Sequence, residues 1–157
     1  MARTGVKCKA YVRTAGSFGS PTFTELTLID DATLDAVWAR AMANTRATIA
    51  DLGVRTSVDL SFTGTVRQDD SDTAYAALLA AWISSSGTVD VMILNGAQSS
   101  NGVVGVRFVG EVTKFTEPQG RGVVLYRSFE IKPTVDSTNY PQSVLVAAGV
   151  PGFTTIT

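Results

Sequence analysis

The stretch Arg55-Thr56-Ser57-Val58-Asp59-Leu60-Ser61-Phe62-Thr63-Gly64-Thr65-Val66 decides how the chain is read. Val58, Leu60 and Phe62 alternate with Ser57, Asp59, Ser61 and Thr63. Side chains of a strand change face at every residue, so this pattern predicts a half-buried antiparallel strand. Through Val66-Arg67-Gln68 it leads into the one strongly helical pattern of the chain, and similar alternating segments lie on both sides. The expected class is mainly β (α+β): an antiparallel β-sandwich or barrel-like sheet with one packed α-helix.

Towards the N-terminus, residues 4–13 set Val6, Cys8, Ala10 and Val12 against Lys7, Lys9, Tyr11 and Arg13, a first strand. Gly16, Ser17, Gly19, Ser20 and Pro21 have turn composition. Phe23 to Leu28 reads as a short second strand. Residues 32–50 have two readings. Leu34, Val37, Trp38, Ala41 and Met42 fall at helical spacing, and the alanines favour helix. The same residues also split into a strand, with Trp38, Arg40, Met42 and Asn44 on one face and Val37, Ala39, Ala41 and Ala43 on the other. Local propensity tips towards helix.

Towards the C-terminus, Ser71 or Asp72 is the expected N-cap of a helix over about 73–84. Tyr75, Leu78, Leu79, Trp82 and Ile83 form its apolar stripe, of which Leu78, Leu79 and Trp82 are expected to pack against Val58, Leu60 and Phe62. Ser84-Ser85-Ser86-Gly87 ends it, with Gly87 available as a left-handed cap. Thr88 to Leu94 is a strand whose two parities, Val89, Val91, Ile93 and Met92, Leu94, are both apolar, so both faces should be partly covered. Asn95-Gly96 signals a turn, widened into a loop by the polar run up to Asn101. Val104 to Thr116 continues as strand, with a bulge expected near Gly110 and Glu111. After the turn Glu117–Gly122, the strand Val123–Ile131 stops at Lys132-Pro133. Beyond a polar spacer, the apolar run Ser143–Val150 needs a partner, either its own domain or a neighbouring subunit.

Composition limits the chemistry. The 157 residues are enough for one domain with a real core, and the formal charge of −1 provides no broad basic surface for nucleic acid. Histidine is absent and Cys8 is the only cysteine, which removes the usual zinc ligands, an intrachain disulfide and the common neutral-pH base. Lys7, Lys9 and Arg13 interrupt any N-terminal apolar run, and no stretch reaches the ~20 apolar residues of a membrane span. Synthesis and use in a reducing cytosol are expected.

Individual motifs lead to the same negative result. Asp69, Asp70 and Asp72 are close together, but no twelve-residue calcium loop follows; capping and surface roles are expected. Gly102-Val103-Val104-Gly105 lacks the spacing and lysine of a phosphate loop. Ser84-Ser85-Ser86 has no histidine base. Asp59 and Glu111 or Glu130 could meet on a sheet as a carboxylate pair, but each is also an ordinary solvent-face residue. Arg40, Arg46 and Arg55 could meet phosphate, although dispersed arginines more often form surface or interface ion pairs. No catalytic, cofactor-binding or metal-binding residue is expected, and the chain is not read as an enzyme.

Four stretches in order resemble the long-tailed bacteriophage major tail tube protein family, related to tube proteins of contractile injection systems. They are Thr24-Glu25-Leu26-Thr27-Leu28-Ile29; Trp38 to Arg46, closing on Thr45-Arg46; the strand ending at Val66 with Asp69-Asp70-Ser71-Asp72 and the Tyr75–Ile83 helix, then Gly87-Thr88 and Leu94-Asn95-Gly96; and Gly105 to Phe115 with Glu117-Pro118 and Ile131-Lys132-Pro133-Thr134. The resemblance implies a tail-tube-like β domain over 1–134, with an assembly hairpin about 24–46 that makes residues 32–44 strand despite their helical propensity. It leaves 135–157 as a C-terminal extension or intersubunit arm. It implies a structural virion protein without cofactors, assembled in the bacterial host cytoplasm into stacked hexameric rings. Its partners would be copies of itself and other tail proteins (tape measure, terminator, distal tail), with phage DNA passing through the lumen without sequence-specific binding. The alternatives are a tail terminator or distal-tail protein, or a small β ligand-binding module. A short loop after Arg46 and the long C-terminal extension depart from the family pattern.

Overall fold

A computed structural model describes residues 9–43, 52–116, 125–134 and 141–155, with side chains described except at 38–43 and 52–58. Cys8, Val6, Arg46, the turn at 117–124 and the spacer at 135–140 lie outside the described residues. The elements are β1 (Lys9–Gly16), β2 (Pro21–Glu25), β3 (Ile29–Ala43), β4 (Leu52–Arg67), α1 (Thr73–Ile83), β5 (Thr88–Leu94), β6 (Val104–Thr116), β7 (Tyr126–Pro133), β8 (Gln142–Ala147) and β9 (Val150–Thr155). The architecture is mainly β with one helix, and every ladder is antiparallel.

The strand order is β2-β1-β5-β6-β7-β4-β3, with β8 on β6 and β9 on β8. Seven strands laid flat would span roughly 29 Å at ~4.8 Å per step. Yet the two outermost strands are consecutive in the chain, joined only by Leu26, Thr27 and Leu28. Four Cα steps reach at most about 15 Å, so the sheet must curl until its edges approach. Its concave side holds the main core. Ala10 and Val12 of β1, Val89 and Val91 of β5, Phe108 and Val112 of β6, Phe129 and Ile131 of β7, and Phe62 and Val66 of β4 share one buried cluster, with Leu34 packed against it.

Residues 29–43 are strand, which over 32–43 is what the family resemblance implied for 32–44 and runs against local helical propensity; Asn44 lies outside the described residues. β3 pairs with β4 from Ile29↔Val66 to Ala43↔Leu52, so long-range ladder bonds override the alanine preference. The bulge in β6 falls between Val112 and Lys114, a few residues beyond its expected place at Gly110 and Glu111.

The helix begins where capping predicts. Asp72 Oδ1 accepts from the backbone N–H of Ala74 at 2.8 Å and of Tyr75 at 3.3 Å. Asp72→Ala should lower stability by about 1 kcal/mol, read from a urea midpoint shift at unchanged m-value. The expected stripe needs correction. The buried residues are Ala74, Tyr75, Leu78 and Ala81, whereas Trp82 is 43% and Ile83 73% exposed. Small Ala74 and Ala81 let the helix lie close on β1, β5 and β6, and this rotates the bulky Trp82 outward to stack beside Phe115. Leu78→Ala should cost about 3 kcal/mol and Trp82→Ala well under half of that. Equal losses in thermal unfolding would contradict this orientation. The helix ends on an extended Ser84, and Gly87 (φ 58°) turns the chain afterwards rather than capping it.

A second, smaller core lies on the opposite face of β1 and β5. Tyr11, Met92, Leu94 and Val103 are covered there by Val144 and Val146 of β8, with Phe23 and Phe153 at the margin. Both faces of β5 are therefore buried, as its two apolar parities implied. β6 is shared: Val104–Arg107 pairs with β8, while Gly110–Thr116 pairs with β7, so the sheet forks along one edge.

Candidate assembly surfaces

The β3–β4 hairpin outruns the sheet that supports it. β4 pairs with β7 only from Phe62 to Arg67, whereas its ladder with β3 continues back to Leu52. Ten residues at ~3.3 Å each make an overhang of about 33 Å. A two-stranded ribbon of this kind is marginal in water. Among the described residues, the outer side of β3 has no strand partner along its 15 residues. Its first half displays exposed Asp30, Asp31 and Asp35, and Val37 is 63% exposed. At the other end of the strand order, β2 pairs only with β1. Such open edges are templates for pairing with another chain.

Where the curled sheet fails to close, a cleft of about 480 Å³ lies between β3 and the β5–β6 turn. Ile29, Leu34, Phe62, Ile93 and Val106 make it apolar, with Lys9 and Asp31 at its lip. Lys9 bonds Glu25, and that contact raises the lysine pKa above its ordinary value.

A buried charge cluster was not singled out by the sequence. Arg107 and Asp90 are almost completely buried. Arg107 Nε donates to Asp90 Oδ1 at 3.0 Å and Nη2 to Oδ2 at 2.6 Å, a bidentate pair. Nη2 also donates to the Phe18 carbonyl at 2.8 Å and Nη1 to Gln142 Oε1 at 3.2 Å. The guanidinium is stacked 3.9 Å from the Phe18 ring and 4.5 Å from that of Phe153, and Arg13 reaches Asp90 at 3.2 Å. One arginine thus ties the β1–β2 turn and the β8–β9 hairpin to the centre of the sheet. The available sequence signal was a single charge in β5, Asp90, and a single charge, Arg107, in the otherwise uncharged first half of β6, Val104–Gly110.

The residues weighed for chemistry are dispersed. Glu130 lies opposite Thr63, four residues along β4 from Asp59, or about 13 Å, and Glu111 lies opposite Thr88 and Lys132. Glu130 accepts from Thr113 Oγ1 at 2.9 Å. Asp69 accepts from Ser71 N–H and Oγ–H, which holds its carboxyl below the usual range, and Asp72 caps the helix. Among the described residues no three His, Cys, Asp or Glu side chains are grouped to hold a metal. Backbone register sets Arg40 opposite Arg55 near the end of the overhang. Among the described residues no helix is long and apolar enough to cross a membrane.

No family model and no curated protein sequence matches the chain. Solved structures do. The chain is similar to a subunit of the SPP1 tail tube, with a TM-score of 0.65 at 11% identity over 87% of this chain and 83% of that one. It is similar to a chain in the tail of the empty gene transfer agent particle, a structure with C6 symmetry, at TM-score 0.64 and 10% identity over 93% and 100%. It is also similar to a chain of the anti-feeding prophage baseplate, at TM-score 0.56 and 12% identity over 85% and 95%. At these identities the likeness establishes the fold alone, one shared with chains of a tail tube, a gene transfer agent tail and an anti-feeding prophage baseplate.

Proposed function

We propose that this chain is a structural subunit of a phage-type tail tube, closing into hexameric rings that stack into a hollow conduit for DNA. The observation that carries the reading is the overhanging β3–β4 ribbon with its unpaired outer edge, on a fold shared with assembled tail tubes. Pairing ribbons between copies removes exposed edges and closes a barrel around an axis. A different surface on each side of the subunit then lets rings add without limit. The near-neutral charge suits a wall that DNA slides past, since many cationic phosphate contacts would retain it. Its work is mechanical, without catalysis or cofactor. Its place is the virion tail, assembled in the bacterial host cytoplasm, with tape-measure, terminator and distal-tail proteins as neighbours. Residues 1–134 are the tube domain, and 135–157 are an extension whose β8–β9 hairpin is anchored on β6 with one face turned outward.

Negative-stain electron microscopy of the purified chain over a concentration series tests this. Rings with sixfold symmetry that lengthen into tubes are the expected result. Single rings that never stack would indicate a component at the tube's end, as the baseplate likeness allows. A monodisperse monomer at high concentration would refute the assembly reading.

A further inference from the structure

We propose that the outward face of the β8–β9 hairpin, centred on Val104, Leu145 and Val150, is a contact surface for a second copy of this chain. The inference rests on the ring-and-tube reading and names one surface that it uses. Val104 pairs with Leu145, and Ala147 with Val150, so these side chains emerge on the same face. Val144 and Val146 point the other way and are buried. Val104 is 46%, Leu145 56% and Val150 66% exposed. Val104 also lines the cleft that holds Leu34, Phe62 and Val106, so this residue belongs both to the cleft and to the exposed hairpin face. Contiguous apolar surface of this kind marks an interaction site rather than ordinary solvent-facing surface.

The hairpin lacks the protection that isolated sheet edges carry. No Asp, Glu, Lys or Arg occurs after Asp136, and among the described residues β9 pairs only with β8. Monomeric edges are usually guarded by charge, and β9 carries none. An uncharged apolar edge is tolerable where assembly covers it. A copy of the chain is the partner that fits. The molecule already carries a second unpartnered element, the β3–β4 overhang, at a different place. Two unlike unsatisfied surfaces on one subunit make a head-to-tail contact that repeats. Because the hairpin face is uncharged, this contact should persist at high salt.

Leu145→Asp and Val150→Lys, each in the full chain, test the surface by sedimentation velocity and negative-stain microscopy over a concentration series. Each should need about tenfold more protein, or greater, to form rings or tubes, with its monomer melting temperature unchanged. Leu145→Met should assemble like the parent. Charge variants that assemble at the parent's concentration would overturn the surface while leaving the ring reading standing. A parent that stays monomeric would overturn both. Hydroxyl-radical footprinting of the unsubstituted chain reads the same face without depending on variant folding. Protection of Leu145 in assembled fractions supports the contact, and equal labelling of assembled and monomeric fractions overturns it.

Discussion

Asp90→Ala should destabilise the monomer by about 3–5 kcal/mol, the cost of leaving a buried guanidinium without its counter-ion. For a chain of this size, that is a fall in melting temperature of roughly 10 °C or more. The loss exceeds that of a surface ion pair because neither partner can return to water: the Asp90 side chain is fully buried and that of Arg107 is 1% exposed. Arg13 worsens the outcome, since removing Asp90 leaves two guanidinium groups facing each other across the vacated position. Arg13→Ala should cost under about 1 kcal/mol, because that side chain is partly exposed and the bidentate pair survives it. Asp90→Leu combined with Arg107→Met should cost far less than the two single losses added together, since no charge is left stranded. Thermal and urea unfolding of this double variant and of its two single variants, Asp90→Leu and Arg107→Met, measures the coupling. Additive losses would show that the two groups act independently. The same variants report on the hairpin, because Arg107 is bonded to Gln142 and stacked on Phe153. Hydrogen exchange should therefore find β8 and β9 opening earlier in Asp90→Ala than in the parent.

The second large effect is expected at Gly105. A Cβ built there would sit 1.9 Å from the Ile93 carbonyl oxygen and 2.8 Å from Leu94 Cδ2. The nearer atom belongs to the backbone of the paired strand, so it cannot turn aside as a side chain would. Relief requires β5 and β6 to separate where β6 also carries β8. Gly105→Ala should therefore cost about 3 kcal/mol or more and loosen the β8–β9 hairpin. Gly64→Ala is the matched comparison. Its nearest neighbours are Phe129 ring atoms at 3.2 and 3.3 Å, which can give by a few tenths of an ångström, so a loss of about 1 kcal/mol or less is expected. Unfolding midpoints of the two variants decide between them. Similar values would mean that the β5–β6 ladder yields more easily than its spacing implies.

Much of the fold was legible in local pattern because the relevant physics is local. Alternation found β1, β5, β6 and β7, and Asp72 announced the helix start because a side-chain acceptor for free backbone N–H groups acts within four residues. Residues 29–43 were a different case. Their alanines and helical spacing tipped local propensity towards helix over an alternating strand pattern, and the family resemblance pointed to strand. The ladder to β4 decides the matter, and it consists of contacts that a local window does not contain. The helix stripe was misread through side-chain size. Trp82 and Ile83 seemed obvious core residues, but close approach to the sheet selected Ala74 and Ala81. The charge cluster escaped because Asp90 and Arg107 each look like a solvent-face residue until β5 and β6 are aligned and the β8–β9 hairpin covers them.

The candidate surfaces divide in the same way. The apolar run from Ser143 to Val150 stated that it needed cover, because exposed apolar side chains are costly whatever surrounds them. It left open which residues would be covered and by what. Docking on β6 buries Val144 and Val146 in the chain's own second core and leaves Leu145 and Val150 outward. By itself the sequence determined the alternation of strand faces, the helix and its cap, the turns, and a composition without histidine or a paired cysteine. Those properties depend on neighbours in the chain. Only the tertiary structure decided that the sheet curls on a three-residue link, that β3 and β4 overhang it, and that one buried arginine holds three segments together. Those depend on register between distant strands, where a shift of one residue exchanges the buried and exposed faces.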